Sequence, residues 1–483
     1  MTAVVAEARR VRYSLDSGLG RLSSAERSDR GRTARVQVPR ESHAMFERIP
    51  DAPDPLSLLA AQAATRLPDL VPVRWGRMLA SPFAYYRGAA LPMASDLSDT
   101  PVSGLAVQAC GDAHLSNFGI FGSAERRLVF DVNDFDETLP GPWEWDVKRL
   151  AASMEVAARD NGFSGKERRQ IVIATVAKYR QAIRDFAHMT NLDVWYAHAD
   201  VDRLQAEFPT QLDKRQRKVL SKSLVKARTR DSMQEAGKLC RIVDGKPRII
   251  SDPPLIVPID ELLPQRMDRK AFVAQITDLL SKYRRTLETD RRHLLEQFEF
   301  ADMARKVVGV GSVGTRCWIV LMLGRDENDP LFLQVKEAEE SVLSHFVGAS
   351  KYPNQGQRVV AGQRLMQASS DIFLGWQRNE AGLDGKQSDF YVRQLRDWKF
   401  SIDIQAMIPR GMQIYGQLCG WTLARAHARS GDRIAIATYL GGSDVFDQAV
   451  AQFAATYADQ NERDYQSLVA AVGEGRIMAE PDV

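Results

Sequence analysis

The sequence predicts an α+β protein in two parts, a large mainly helical lobe and a smaller lobe rich in β-strands. Apolar residues recur at helical spacing over most of residues 144–305 and again after residue 403. Between these stretches, short β-branched and aromatic runs alternate with glycine and polar turns. We therefore expect a large lobe over residues 41–300, a small lobe over 301–400, and helices over 401–483 that pack on the large lobe.

The amino-acid composition limits the kinds of molecule that the protein is expected to bind. The chain has 483 residues, of which 44% are hydrophobic, and its 65 basic and 62 acidic residues give a net charge of +3. This balance argues against a dedicated nucleic-acid-binding protein. The densest apolar run, CWIVLML, is too short to span a bilayer, and the N-terminus has no sustained apolar stretch. The four cysteines form no CxxC pair, so we expect no disulfides, no zinc site and a cytoplasmic location without membrane contact.

The first elements follow from composition and spacing. Residues 1–40 are rich in Arg, Ser and Gly, and we expect a flexible basic arm there. DPLSLLAAQAATRL has helical spacing, whereas SPFAYYRGAA (residues 81–90) predicts a strand or extended segment ending at Gly88. GLAVQACG and RLVFDVND are apolar runs of strand length.

The middle of the chain is predicted to be mainly helical. Helical spacing marks DVKRLAASMEVAARD, ERRQIVIATVAKYRQAIRDFAHM and RKAFVAQITDLLSKYRRTLETDRRHLLEQF. One interruption, RIVDGKPRIISDPPLIVPI, predicts a hairpin on an Asp-Gly turn and then a proline-rich loop. The basic stretch DKRQRKVLSKSLVKARTRD (residues 213–231) is interpreted as a solvated helix face. A patch for a phosphorylated substrate or nucleic acid is the alternative.

The pattern changes near residue 305. KVVGVGSVGTRCWIVLMLGRDENDPLFLQVKEAEESVL predicts a strand, a glycine turn, a strand, a polar turn, a strand and a helix. QRVVAGQRLMQ, DIFLGWQR and DFYVRQLRD are also β-like. Helices return in YGQLCGWTLARAHARSGD and DVFDQAVAQFAATYADQNERDYQSLVAAV.

Carboxylate and amide side chains cluster around two short predicted strands. In CGDAHLSNFGIF, Asp112 and Asn117 lie on a loop that leaves a strand, and Asp134 ends the next strand. Pairing of the two segments would bring Asn117 and Asp134 together, with Asp112 facing them. An amide oxygen and a carboxylate suit Mg²⁺, and a carboxylate off the metal can accept a hydroxyl proton. This is the order of groups used in phosphoryl transfer; the alternative is a turn-rich loop whose polar side chains cap the backbone.

A glycine-rich loop, GVGSVG, follows much later in the chain. Strand, glycine loop, strand, turn and lysine-bearing strand is the order of a kinase nucleotide lid, although an ordinary β-meander is the alternative. Lys336 in LFLQVK would reach the α- and β-phosphates. Its acidic partner is Glu337, Glu339 or Glu340, with Glu337 disfavoured because neighbours on a strand face opposite ways. The loop residues predicted to contact nucleotide are Gly309, Gly311, Ser312 and Gly314.

Two of these segments resemble known catalytic motifs. GDAHLSNFG resembles the GDxHxxN catalytic loop of aminoglycoside-phosphotransferase-like and other small-molecule kinases, and NDFDETLPGPWEWDVKRLA resembles the segment that follows it. The resemblance implies that Asp112 is the catalytic base, Asn117 a metal ligand and Asp134 the main metal ligand. Asp131 is the other candidate for the role of Asp134. Asp146 would be a structural aspartate that braces the loop.

Over a longer span, from about residue 40 to 475, the chain resembles a bacterial family known as domain of unknown function 2252. The resemblance itself implies no activity. The segments that carry it are SPFAYYRGAA, GDAHLSNFG, NDFDETLPGPWEWDVKRLAAS, VVGVGSVGTR, LFLQVKEAEESVL, FYVRQLRD and LARAHARSGD.

The order of the two kinase-like motifs is reversed in this chain. In ordinary kinases the glycine loop and its lysine precede the catalytic loop, whereas here Asp112 comes long before Lys336. Either the protein-kinase-like fold is circularly permuted, which is the fold we expect, or the glycine-loop constellation is fortuitous. FYVRQLRD would be the strand that enters the hinge between the lobes, and the helix ending in LARAHARSGD would stand before the catalytic loop. On this interpretation His427 is a helix-end residue rather than a catalyst.

The predicted activity is that of an ATP- and Mg²⁺-dependent phosphotransferase that acts on a hydroxyl group of a small molecule. His114, inside the catalytic loop, is expected to order that loop. Arg87 and Arg393 are candidate contacts to substrate or phosphate, unless they pair with core carboxylates. One alternative is a nucleotide-binding pseudokinase with a regulatory role. The other is a metal-dependent hydrolase built on the aspartate cluster, which would act without nucleotide.

Overall fold

The computed structural model describes residues 13–15, 19–202, 228, 232–263, 269–380, 382, 385–395, 398 and 402–481. The basic segment predicted at 213–231 lies outside these ranges, except for Arg228. Within them, no helix combines the length and the apolar character that a membrane span requires.

The first part of the chain forms helices around two small sheets. Its helices are α1 (Ser24–Gln37), α2 (Pro55–Ala63), α3 (Val71–Leu79), α4 (Pro82–Gly88), α5 (Ala90–Ser98), α6 (Trp143–Asp160), α7 (Gly165–His188) and α8 (Asn191–Tyr196). Its strands are β1 (Ala106–Ala109), β2 (Phe118–Gly122), β3 (Leu128–Val132), β4 (Leu139–Pro142) and β5 (Ala199–Asp200). Strand β1 pairs with β4, and β2, β3 and β5 form a second antiparallel sheet. The two predicted short strands are thus confirmed as β1 and β3.

In its described residues, the next part of the chain has eight strands, and six of them form one antiparallel sheet. Its strands are β6 (Cys240–Val243), β7 (Lys246–Ile249), β8 (Ile256–Pro258), β9 (Glu299–Lys306), β10 (Cys317–Leu323), β11 (Pro330–Glu337), β12 (Gly375–Asn379) and β13 (Ser388–Gln394). Its helices are α9 (Ser232–Leu239), α10 (Ile259–Leu262), α11 (Arg269–Arg284), α12 (Thr289–Leu295), α13 (Ser344–Val347) and α14 (Gln355–Met366). The sheet order is β12-β13-β11-β10-β9-β8, while β6 and β7 form the predicted hairpin. Its turn residues Asp244 and Gly245 both have positive φ, as an Asp-Gly turn requires.

Three helices complete the described chain: α15 (Pro409–Ser430), α16 (Arg433–Leu440) and α17 (Val445–Gly473). Helix α15 packs closely along α7. A Cβ atom added at Gly420 of α15 would lie 2.4 Å from the carbonyl oxygen of Thr175, so only glycine permits this approach. The predicted C-terminal helices are therefore confirmed. We call residues 19–202 together with 402–481 the large lobe, and residues 232–395 the small lobe.

Helices α10 to α12 belong to the small lobe. Ile276 and Leu280 of α11 and Leu295 of α12 share one buried cluster with the sheet residues Val320 and Leu333. The sequence assigned these helices to the large lobe because their spacing is helical, but their apolar faces are buried against the sheet. The predicted boundary near residue 301 therefore falls inside the unit that packs together.

The predicted flexible arm at residues 1–40 is wrong for the segment that forms α1. Ser23 and Glu26 make a capping box at the start of this helix. Arg27 forms an ion pair with Asp432 at 2.8 Å. A Cβ atom at Gly31 would lie 2.3 Å from the carbonyl oxygen of Ala435, so α1 packs tightly on α16. This contact depends on an ion pair and on a glycine that permits close packing, and it needs few apolar residues. The spacing of apolar residues therefore did not predict helix α1.

Two segments predicted as β-like are helices. In SPFAYYRGAA the Ser81 hydroxyl accepts a hydrogen bond from the amide of Ala84, and Pro82 starts helix α4. In QRVVAGQRLMQ the helix is α14, and the Asn354 side chain accepts from the amide of Gln357. The aromatic and β-branched residues suggested strands, but the caps and tertiary packing determine the outcome.

The core of the large lobe contains an ammonium group without a hydrogen-bond partner. Lys148 on α6 is fully buried, and its Nζ lies 4.9 Å from the ring centroid of Phe453. Burial lowers the pKa of Lys148 to about 7, although the Glu144 carboxylate opposes this shift. Burial likewise raises the pKa of Glu144 to about 7.

We expect Lys148→Met to stabilise the protein by about 1–3 kcal/mol, because an apolar side chain of similar volume removes the cost of burying an ammonium that has no hydrogen-bond partner. The folded-state pKa of Lys148 is about 7 and its ordinary value is 10.5. Between these two pKa values the unfolded wild type binds more protons than the folded wild type. The free energy of unfolding of the wild type therefore falls as the pH is lowered from about 10.5 to about 7. The advantage of the variant should therefore be larger at about pH 7 than at about pH 9. Denaturant unfolding measures both values, and a destabilised variant would contradict the prediction. Lys166→Met, at an exposed position, is the control and should change stability by less than about 0.5 kcal/mol.

Candidate functional site

The loop that follows β1 is held by a buried aspartate. Asp146, in the first turn of α6, accepts hydrogen bonds from the amides of Cys110 at 2.6 Å and Gly111 at 2.9 Å. His427 Nε2 lies 3.1 Å from the same carboxylate, and its Nδ1 lies 2.9 Å from the hydroxyl of Tyr179. Asp146 therefore braces the loop, as predicted, and His427 lies in the core behind it.

Asp112 lies on this loop as a carboxylate paired with a buried arginine. Arg149 Nε and Nη2 lie 2.7 and 2.6 Å from Asp112 Oδ1. Burial alone would raise the pKa of Asp112, but the Arg149 guanidinium holds it below its ordinary value. His114 Nε2 lies 3.7 Å from Asp112 Oδ2. Asp112 is thus an anion with 20% of its side chain exposed.

His114 is buried and uncharged. Burial lowers its pKa to about 3, although the carboxylate of Asp112 opposes the shift. Its backbone carbonyl accepts from the amide of Asn117 at 2.8 Å, in the turn that leads into β2. These contacts fit the predicted role of ordering the loop.

The β2–β3 hairpin brings Asn117 close to the segment that contains Asp134. Phe118 pairs with Val132, and the amide of Asn133 donates to the carbonyl of Asn117 at 2.8 Å. The Asn117 side-chain nitrogen donates to the carbonyl of Asp112 at 2.8 Å. The amide oxygen is therefore the end of this side chain that could coordinate a cation.

Lys336, from β11 of the small lobe, reaches the same aspartates. Its Nζ lies 3.9 Å from Asp134 Oδ1 and 2.6 Å from Asp136 Oδ2. The hydroxyl of Tyr391 donates to Asp136 Oδ1 at 2.6 Å. Burial and the neighbouring Asp136 raise the pKa of Asp134. Burial acts in the same sense on Asp136, but Lys336 overcomes it and lowers the pKa of that carboxyl.

The acidic partner of Lys336 is therefore Asp136 rather than a glutamate of the next few residues. Glu337 points to the other face of the sheet, where it pairs with Arg316 at 2.9 Å and accepts from Ser388. Glu340 is exposed. Alternation along the strand had disfavoured Glu337, but Asp136 lies 200 positions away and had no sequence signal that linked it to Lys336.

Asp131 pairs with a buried arginine rather than with Lys336. Both of its oxygens lie within 2.6 Å of Arg425 Nη2, and Oδ2 also accepts from the amide of Ala368 at 2.9 Å. It is almost completely buried. Of the two candidates for the main metal ligand, Asp134 is therefore the one that lies near Lys336.

The glycine loop between β9 and β10 lies against the large lobe. Gly309 and Gly314 have φ values of +65° and +89°, a conformation that favours glycine. Arg77 donates to the carbonyl of Gly309 at 2.6 Å, and the amide of Leu67 donates to that of Gly314 at 2.7 Å. The Ser312 hydroxyl donates to Asp136 Oδ2 at 3.3 Å. The loop therefore reaches the aspartates that Lys336 contacts.

A cavity of about 920 Å³ separates the lobes at this point, within the roughly 300–1,000 Å³ typical of ligand sites. Its described lining includes six basic and three acidic side chains, so it favours an anionic ligand. Asp112 and Asn117 are not part of the lining. Arg393 donates to Gln334 and to the carbonyl of Asn133, both at 3.0 Å. The site residues in the wall are Arg87, Asp134, Gly309, Ser312, Lys336 and Arg393.

Among the described residues, no group of three or more His, Cys, Asp or Glu side chains is arranged to hold a metal ion. A site formed by one carboxylate and one amide oxygen needs further ligands from water and substrate. Mg²⁺ is commonly bound in this way.

The comparisons with known proteins identify the family. A family model described as an uncharacterised protein conserved in bacteria (DUF2252) matches residues 66–471. The chain therefore belongs to this family. No curated protein and no solved structure matches the chain significantly.

Proposed function

We propose that the protein is an ATP- and Mg²⁺-dependent phosphotransferase that phosphorylates a hydroxyl group of a small molecule. The observation that carries the proposal is the approach of Lys336 to Asp134 at 3.9 Å, at the wall of an inter-lobe cavity. These residues lie about 200 positions apart and come from two different sequence motifs. Phosphoryl transfer requires a lysine and a metal-binding carboxylate on the phosphates of one nucleotide.

The arrangement of elements supports a circularly permuted kinase-like fold. Strands β9, β10 and β11 are antiparallel neighbours, with the glycine loop between the first two and Lys336 near the end of the third. Strand β13 leads toward α15. At the end of α15 the Ser430 hydroxyl accepts from the amide of Gln108 in β1, at 3.2 Å. A helix that ends beside the strand before the catalytic loop is the connection that the permutation hypothesis expects.

The donor set fits Mg²⁺, because Asp134 and the amide oxygen of Asn117 are hard oxygen ligands. When bound there, Mg²⁺ would neutralise charge on the phosphates. Lys336, which contacts Asp136 and lies 5.5 Å from the ring centroid of Tyr391, would bind the α- and β-phosphates. The backbone of the glycine loop would cover them.

Asp112 is the group placed to orient the acceptor hydroxyl. As the hydroxyl oxygen forms its bond to the terminal phosphorus and the bond to ADP breaks, the hydroxyl proton passes to Asp112. Arg149 and the loop contacts fix the position of this carboxylate. A depressed pKa makes Asp112 a weak base, but a loose transition state depends more on orientation than on basicity.

The proposal is tested by calorimetric titration of ATP with and without Mg²⁺, followed by a transfer assay with a small-molecule fraction of a bacterial extract. Tight binding only in the presence of Mg²⁺, and a radiolabelled product from γ-labelled ATP, are expected. Absence of ATP binding would overturn the proposal. Product formation from the extract without added nucleotide would favour the hydrolase alternative.

Lys336→Met should weaken MgATP binding by about tenfold or more, since a charge-assisted contact to phosphate contributes about 1.5–3 kcal/mol. The change also leaves Asp136 without its ammonium partner, so thermal unfolding must be recorded on the same samples. Arg316→Met is the matched control, because it removes an ion pair with Glu337 on the opposite face of the same sheet. Equal binding by the Lys336 variant and the wild type would contradict the assignment.

A further inference from the structure

Arg87 differs from the other site cations because its side chain makes no hydrogen bond within the described chain, although the Asp112 carboxylate acts on its charge from a longer distance. Lys336 contacts two aspartates, and Arg393 donates to Gln334 and to a backbone carbonyl. Arg87, at the end of α4, lies largely below the surface, and its Nε is buried without a hydrogen-bond partner. Within the described chain its guanidinium makes no ion pair. The buried Nε–H of this guanidinium lacks a hydrogen-bond acceptor, which is costly, so an anion at this position would compensate for that cost.

The position of Arg87 distinguishes the acceptor side of the site from the nucleotide side. Its charge helps to lower the pKa of both Asp112 and His114. The cations that act on Asp134 are Lys336 and Arg393. Arg87 also lines the cavity, and its carbonyl oxygen lies 3.4 Å from where a Cβ atom of Gly311 would be. Arg87 therefore lies beside the glycine loop in the cavity wall, near enough to Asp112 for the two charges to interact.

A second cation strengthens this interpretation. Arg77, on α3, lies near enough to depress the pKa of Arg87, after the larger effect of burial and against the opposing effect of Asp112. Two guanidiniums near enough to affect each other, one of them partly buried and without an ion pair in the described chain, form an environment that favours a negatively charged group.

We propose that the phosphoryl acceptor is itself anionic, a hydroxyl compound whose carboxylate or phosphate group binds Arg87 while its hydroxyl faces Asp112. This inference rests on the proposed function and narrows its substrate class. A carboxylate and a phosphate group can each accept two parallel hydrogen bonds from one guanidinium.

The probe is inorganic phosphate, titrated into the full-length protein in the presence of Mg²⁺ and a non-hydrolysable ATP analogue. The wild type should bind phosphate, and Arg87→Gln should weaken this binding by about tenfold or more. Arg87→Lys should recover part of it. Lys238→Gln, which removes another cation of the cavity wall, is the matched control and should stay within about twofold of wild type. Acetate, titrated in the same way, distinguishes a carboxylated acceptor from a phosphorylated one by which anion binds more tightly.

Several outcomes would overturn the inference. The inference is wrong if the wild type binds neither anion or if Arg87→Gln binds phosphate as tightly as the wild type. It is also wrong if Lys238→Gln weakens phosphate binding as much as Arg87→Gln does. Phosphate binding that appears with ADP but disappears with the ATP analogue would assign Arg87 to the terminal phosphate of the nucleotide instead. Loss of MgATP binding in the wild type would overturn the proposed function, whereas intact MgATP binding without an anion site would overturn only this inference.

Stability gives an independent check. If Arg87 were a structural residue, Arg87→Gln would lower the melting temperature of the anion-free protein. A guanidinium kept for a ligand should instead give a variant with an unchanged or higher melting temperature. Added phosphate should raise the melting temperature of the wild type and not that of the variant, because only the folded wild type binds it.

Discussion

Replacing Asp134 with asparagine is expected to lower Mg²⁺-dependent phosphoryl transfer by about 10³-fold or more. The substitution removes one charge from a site whose metal would supply several kcal/mol of transition-state stabilisation. The fold should survive, because burial and Asp136 already raise the pKa of Asp134 and so disfavour its charged form. The measurement is initial rate against Mg²⁺ concentration, together with thermal unfolding of the same samples.

Asp131→Asn is the informative comparison for this variant. It leaves the buried Arg425 without its carboxylate, so we expect a lower melting temperature but transfer by the molecules that remain folded. The opposite pattern, with transfer lost in Asp131→Asn at an unchanged melting temperature and kept in Asp134→Asn, would show that the metal ligand has been misassigned by three positions.

Asp112→Asn should separate binding from chemistry. MgATP affinity is expected to stay within a few-fold of wild type, because Asp112 lies outside the cavity lining that holds Asp134 and Lys336. Transfer should fall by about 10²- to 10⁴-fold, the usual contribution of a positioned acid–base group. Calorimetry and the transfer assay on one preparation give both values, and intact nucleotide binding shows that the variant is folded.

Two results would change the interpretation of Asp112. If the variant transfers phosphate as fast as the wild type, Asp112 only holds the loop backbone. If the wild type binds MgATP but forms no product with any acceptor, the protein is better described as a nucleotide-binding pseudokinase.

The parts of the site that the sequence predicted are those encoded locally. Asp112, Asn117 and Asp134 fall within 23 consecutive residues, and one hairpin brings the last two together. Such short-range pairing follows from strand length and turn composition. The proximity of Lys336 to Asp134 was predicted from two motifs. One resembles the catalytic loop of kinases and the segment after it, and the other resembles their glycine loop and lysine-bearing strand.

The parts that were missed depend on contacts between distant segments. Asp136 was one of several carboxylates in NDFDE, and only the packing of the two lobes selects it as the partner of Lys336. No sequence motif distinguishes Arg149 from other helical arginines, and only the folded structure shows its guanidinium against Asp112. Helices α4 and α14 were predicted as β-like because residue preferences are weak compared with capping and burial.

The contacts of α15 have a consequence for the order in which the protein is made. Asp131 and Asp146 are synthesised early, whereas Arg425 and His427 follow almost 300 residues later. A chain still on the ribosome therefore carries Asp131 without its cation and Asp146 without its imidazole, while the groove for α15 on α7 is uncovered. Closing such distant contacts is slow compared with local folding. Exposed apolar surface during that interval is the usual reason that large proteins depend on chaperones.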